Sequence, residues 1–296
     1  MLSLTSPRPS RGTRMTPNEK PVAGRRTAIA AILAAAAMSL APRALMAQGS
    51  KPVMAIDRAI LDVVIANRIL ANQDVVDAYG HVSMRHPNDP QRFLLSRSRS
   101  PEQVEPVDIV QFNLDGTPVD PATGPFYIER FIHAAIYAAR PDVNAVVHAH
   151  AAEVLPFTIS KTPMQPVIQN SGVVGSHVST WDSRTRYGDT NLLVGDIQMG
   201  RDLAKTLGED HVVLMRGHGF AAAGRNLIEV LRMAIYLRLN AKVLIEALKL
   251  GPVVALSEGE ISKIASVSPD APELQRAWIY WATKAGCADF LGIVGR

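Results

Sequence analysis

Residues 145–150 read Ala-Val-Val-His-Ala-His, so His148 and His150 stand two apart behind an apolar, β-branched run. In a strand, residues i and i+2 share a face, so both imidazoles would point the same way. Imidazole suits zinc and similar ions, and two ligands from one strand make a rigid half-site. A third ligand must come from elsewhere. His218 is the best candidate, because it lies in Arg216-Gly217-His218-Gly219 at the end of the apolar run 212–215. Glycine on both sides lets the backbone turn sharply and approach a ligand closely. Three histidines with open coordination positions would make a catalytic rather than a structural site. Glu129 falls in the first turn of the helix before the His-x-His strand, so connectivity keeps it near. A carboxylate beside a metal-bound substrate is suited to moving a proton. His133, one turn further on, shares the face of Glu129, either as an outer partner of the site or as core. Each residue also has an ordinary explanation. A histidine near a strand end is commonly a hydrogen-bonded core or surface group, and an acid in a first helical turn complements the dipole. Nothing in the sequence groups His177 with the others.

These residues need elements to position them. Residues 54–72 space their apolar side chains as a helix does. His81–Val82–Ser83–Met84–Arg85–His86 and residues 92–98 read as short strands, and residues 109–119 as a hairpin around Asp115-Gly116. A helix of about 13 residues, ended by Pro141, leads to a strand at 143–148 and a short helix from about Ala151. Residues 160–195, rich in Pro, Gly, Ser and Thr, predict loops with short strands. A helix at 195–208, one strand at 211–220 entering the glycine-flanked turn, and helices at 226–249 and 272–286 complete the chain. Alternating strands and helices indicate a layered α/β domain.

The chain has 296 residues, 47% hydrophobic and 20% charged, with formal net charge +4. That charge sits in the first 47 residues, where seven Arg and Lys face one acid, Glu19. The other 249 residues hold 24 basic against 26 acidic groups, about −2, so nucleic acid is not an implied partner. Arg25-Arg26, the alanine-rich run 28–40 and Leu45-Met46-Ala47 form a pattern similar to the twin-arginine export signal. The run is too short to span a bilayer. The expected organisation is an export signal over 1–47, a single catalytic domain over 48–296, a periplasmic location, and no membrane association once the signal is removed. Cys287 is the one cysteine, which excludes an internal disulfide and a cysteine-based metal site.

Ile128-Glu129-Arg130 running through Arg140-Pro141-Asp142 into the His-x-His strand, followed by Val212–Gly219, resembles the class II aldolase/adducin family over roughly residues 56–250. The resemblance implies a single α/β/α domain with a central, mostly antiparallel sheet, and a homotetramer with sites between subunits. It also implies a divalent metal, zinc before manganese or iron, on His148, His150 and His218, with Glu129 as the catalytic acid. Sugar-phosphate aldolases of the family hold phosphate with small residues at three places. Here those places read Gly80-His81, the 96–104 loop, and Tyr127-Ile128, so the phosphate pocket is absent. Arg97 and Arg99 stand in that loop instead, with His81 near, and arginine grips carboxylates. Residues 80–87, 94–104 and 276–286 are most similar to the decarboxylase branch, whose enzymes remove a carboxylate ortho to a phenol. Tyr127 and Phe126, with Trp278, Tyr280 and Trp281, would line a pocket for a ring. The expected activity is therefore a metal-dependent carbon–carbon lyase that decarboxylates an unphosphorylated hydroxyaromatic acid. The alternatives are an aldolase of a hydroxy-oxo acid, an iron oxygenase, or a non-catalytic adducin-like module.

Overall fold

The computed structural model describes residues 55–268 and 271–292. The export-signal reading of residues 1–47 lies outside them. Helix α1 (Ala55–Asn72) buries Val63, Val64, Ile65, Ala66, Ile69 and Leu70. Three strands follow, β1 (His81–Arg85), β2 (Arg92–Ser96) and β3 (Ile109–Asn113), then α2 (Arg130–Ala139), β4 (Ala145–Ala149) and α3 (Leu155–Ile159). The next elements are β5 (Ser179–Trp181), α4 (Arg184–Tyr187), α5 (Ile197–Leu207), β6 (Val212–Met215) and β7 (Gly219–Gly224). Four helices end the described chain: α6 (Leu227–Leu250), α7 (Glu258–Ala265), α8 (Pro272–Lys284) and α9 (Ala288–Gly292).

The seven strands form one sheet in the order β3-β2-β1-β4-β7-β6-β5. Every ladder is antiparallel except β5 with β6. The expected mostly antiparallel α/β/α arrangement is what is found. β4 shows why the layers form. Ala145, Val147 and Ala149 join a cluster with residues of α1, α6 and α8, whereas Val146 joins α2 and α5 on the other side. Strand alternation therefore puts His148 on the α2 face, with Val146.

Several boundaries differ from the sequence reading. α2 has 10 residues rather than about 13, and Glu129 is its N-cap residue, not part of its first turn. The expected strand at 143–148 runs over 145–149. The single strand expected over 211–220 is a hairpin, β6–β7, with Met215 opposite Gly219. β7 is glycine- and alanine-rich because it is fully buried between β4 and β6, a context in which small size outweighs weak strand propensity. The hairpin around Asp115-Gly116 reduces to an isolated bridge between Phe112 and Pro118. Helix α7 was not expected, although Ser257 and Glu260 cap it reciprocally. Among the described residues no helix is long and apolar enough to cross a membrane.

Candidate metal centre

Glu129, His148, His150 and His218 bring their ligand atoms within 4.8 Å of one another. Each comes from a different local device. His148 is carried by β4, and its Nδ1 lies 3.0 Å from the Phe220 carbonyl oxygen on β7. His150 follows the end of β4, with Nε2 2.9 Å from Nε2 of His148. His218 stands in the β6–β7 turn, where Gly217 takes φ +65°. A Cβ on Gly219 would come within 2.2 Å of the Ala149 carbonyl oxygen, so only glycine lets the turn press against the end of β4. Nδ1 of His218 is 2.9 Å from the Leu192 carbonyl oxygen. Leu192 itself has φ +68°, a conformation that costs a non-glycine residue about 1–2 kcal/mol and here aims a carbonyl at the site.

Glu129 does not cap α2 with its side chain. Its Oε1 accepts the Val194 backbone N–H at 3.0 Å, while Oε2 lies 3.2 Å from His148 Nε2 and 3.4 Å from His218 Nε2. Burial pushes the Glu129 carboxyl up, but His148 and His218 outweigh it and hold the group well below the ordinary carboxylate range. Burial, then neighbouring His148 and His218, push His150 down to about 3.

Hydrogen bonding assigns the tautomers. A carbonyl oxygen only accepts, so His148 and His218 carry their protons on Nδ1 and, when neutral, turn Nε2 lone pairs toward Oε2. Two lone pairs and a carboxylate facing one another require a cation between them, either a proton or a metal ion. Imidazole nitrogens with one carboxylate oxygen suit a divalent ion such as zinc, manganese or iron. The carbonyls behind His148 and His218 are the outer partners that orient ligating imidazoles.

Beside this cluster, His81 sits directly opposite His148 in the β1–β4 ladder, so the two side chains share the α2 face. Their ring centroids are 5.2 Å apart, and Tyr127 packs on His81 at 4.4 Å. His133 is neither a donor in the cluster nor simple core. Its Nε2 is 2.7 Å from His81 Nδ1, and its Nδ1 is 2.6 Å from Ser83 Oγ, which is 2.8 Å from the Tyr137 hydroxyl.

Arg97 and Arg99 lie on the loop beside Tyr127, whose hydroxyl bonds the Arg99 carbonyl oxygen. Both guanidiniums reach the buried Asp108 through Nε, at 2.6 Å and 3.2 Å, so they are paired rather than free. Trp278 and Trp281 belong to the α1/α6/α8 cluster, on the sheet face away from His148, and Tyr280 is exposed. The expected ring pocket therefore does not include them. Phe126 and Tyr127 do pack on the α2 side. His177 pairs with Asp210, apart from the cluster. Sequence reasoning missed Ser83, Tyr137, Leu192 and Val194. The last two act through backbone atoms, which leave no residue-type signal.

Residues 62–245 match the family described as class II aldolase and adducin N-terminal domain. The chain is 38% identical over 209 residues to the decarboxylase tropJ of Talaromyces stipitatus, covering 66% of this chain and 79% of that protein. It is 28% identical over 183 residues to the 3,4-dihydroxyphthalate decarboxylase of Arthrobacter keyseri, covering 58% of this chain and 72% of that one. Among solved structures, an aldolase II superfamily protein from Pseudomonas syringae superposes with TM-score 0.66 at 23% identity, covering 79% of this chain and 94% of that one. The protein thus belongs to the class II aldolase/adducin family.

Proposed function

We propose that the protein is a divalent-metal-dependent carbon–carbon lyase that decarboxylates an unphosphorylated hydroxyaromatic acid. One observation carries the reading. Four donor groups converge, and the Nδ1 protons of His148 and His218 are committed to carbonyls, so both Nε2 atoms meet the Glu129 carboxylate. In this reading His148, His150 and His218 hold the metal, with zinc favoured. When bound, the ion would polarise the substrate hydroxyl and offset the negative charge left as the carbon–carbon bond breaks.

The remaining work falls to side chains of this protein. Glu129, held ionised, takes the proton of the substrate hydroxyl and returns it to the ring carbon as carbon dioxide leaves. Val194 N–H keeps Oε1 fixed, so Oε2 is the oxygen that handles the proton. The phenolate that remains is reprotonated from water. His81 and Tyr127 flank the substrate, and Arg97 and Arg99 offer their remaining guanidinium N–H groups to its carboxylate. Two relatives named as decarboxylases support the reaction type. Tyr127 and Ile128, in place of small hydroxyl residues, support an unphosphorylated substrate. The complete donor set opposes the non-catalytic, adducin-like alternative.

The test is a screen of the metal-loaded protein for carbon dioxide release from hydroxyaromatic acids, with sugar phosphates as controls. Release of carbon dioxide with a phenol is expected. An aldehyde plus an oxo acid would give the site to aldol cleavage, and efficient cleavage of a sugar phosphate would overturn the substrate reading. We further propose that the enzyme is a homotetramer exported to the periplasm. Arg25→Lys with Arg26→Lys should trap it inside the cell, and normal export of that variant would refute the twin-arginine reading.

A further inference from the structure

A chain of buried polar groups runs from the core to the metal-donor cluster, and its protons can be ordered from one end. Tyr137 is fully buried, and among the described residues Ser83 Oγ is the one acceptor within hydrogen-bond reach of its hydroxyl. A phenol has a single proton, and leaving a buried O–H without an acceptor is costly. Tyr137 therefore donates to Ser83. Ser83 also has one proton, and its other partner is His133 Nδ1. It must donate there, which makes Nδ1 of His133 an acceptor. Both rings are buried with no carboxylate among the described residues hydrogen-bonded to either, and a neutral imidazole carries one N–H. The His133 proton is thus on Nε2, where it is donated to His81 Nδ1. The His81 proton is left on Nε2, which has no hydrogen-bond partner among the described residues.

We infer that the Tyr137–Ser83–His133 chain fixes His81 as a neutral Nε2–H donor that receives a substrate acceptor oxygen beside the metal centre. The assignment has two consequences. A protonated Nε2 has no lone pair, so His81 does not join His148, His150 and His218 as a ligand although its ring lies 5.2 Å from that of His148. A donor without charge also favours a carboxylate or phenolate oxygen over a hydroxyl that would itself need an acceptor. Deepening the proposed function in this way, the chain makes His133 a positioning residue that selects the substrate group through His81.

The inference rests on the proposed lyase reading for its substrate, but its first test needs none. Nitrogen-15 spectra of histidine-labelled, zinc-loaded protein should show His81 protonated at Nε2 and bare at Nδ1. In Ser83→Ala, His133 Nδ1 loses its donor, and His81 should shift toward a mixture of tautomers. In Tyr137→Phe, the Ser83 hydroxyl is free to turn, and a smaller shift is expected. Zinc affinity should stay within twofold in both, while kcat/KM on a turned-over hydroxyaromatic acid falls about 10- to 100-fold, the usual cost of losing an outer partner. A proton on Nδ1 of His81 in the natural protein would overturn the inference, as would an unchanged tautomer in Ser83→Ala. Loss of zinc from Ser83→Ala with the His81 tautomer intact would mark the chain as structural support alone and also overturn it. An Nε2 proton in a protein that decarboxylates nothing would leave the chain standing and remove the lyase reading.

Discussion

The donor cluster and the arginine loop differ in how their charged groups are held. His148 has no exposed side-chain surface and Glu129 keeps 9%, whereas Arg97 and Arg99 keep 36% and 39%. In the cluster, backbone atoms supply the restraint. Carbonyls of Phe220 and Leu192 and the N–H of Val194 each fix one atom of one side chain. On the loop a single carboxylate, Asp108, braces both arginines. Burial pushes Asp108 up, but the Glu105 backbone N–H and the arginines hold its carboxyl below its ordinary value. The cluster's donors are thus tied to backbone atoms of strand and loop, while the loop arginines are held by one carboxylate and stay partly in solvent.

The sharpest way to break this comparison is to delete a member of the cluster. His148→Ala, His150→Ala or His218→Ala should lower metal affinity by more than the 100-fold that loss of an outer partner can cost. Competition with a chelator measures this, and stoichiometric tight binding in any one variant would remove that residue from the site. Glu129→Gln is nearly isosteric, and its amide oxygen can still accept from Val194. It should keep the metal and the fold yet lose roughly 10²- to 10⁴-fold in turnover, seen in steady-state rates.

Acid should also weaken the metal-free protein. His133 and His150 titrate near 3 in the folded state, against an ordinary value of 6.5. The unfolded chain then binds more protons between those values, so this stability is complete above pH 6.5 and is lost as pH falls from there. The expected slope is about 1.4 kcal/mol per pH unit for each histidine. Glu129 adds to the loss below its ordinary 4.5, because its folded carboxyl resists protonation. Urea midpoints at pH 7 and pH 5 test this, and equal midpoints would contradict the burial of these rings as neutral groups. The smallest effect is expected on the loop. Arg97→Ala should raise KM about 10-fold, a charged hydrogen bond of roughly 1.5 kcal/mol, with metal content unchanged. A lower melting temperature with KM unchanged would make Arg97 only a brace for Asp108.

Much of the cluster was legible in residue types. The period of two in β4, the glycines around His218 and the proximity of Glu129 all survive in the structure, because each depends on local geometry. The loop arginines were legible as residues but not as partners, since Asp108 lies about ten positions away in sequence and the pairing is tertiary. The Tyr137–Ser83–His133 chain was hidden for a related reason. Ser83 and Tyr137 are ordinary strand and helix residues until α2 packs over β1 and brings His133 and Tyr137 against Ser83. The C-terminal tryptophans misled, because an aromatic residue at helical spacing signals burial without saying on which face of the sheet. β7 escaped notice since alanine and glycine mark close packing there rather than a strand.

The central claim, that Glu129 and the three histidines form a metal-dependent lyase site, is tested most directly by removing and restoring the ion during turnover. Chelator-treated protein should lose carbon dioxide release from its hydroxyaromatic substrate. One equivalent of zinc or manganese per chain should restore it in the natural protein but not in His218→Ala. Release that survives complete metal removal, or full restoration in His218→Ala, would contradict the claim.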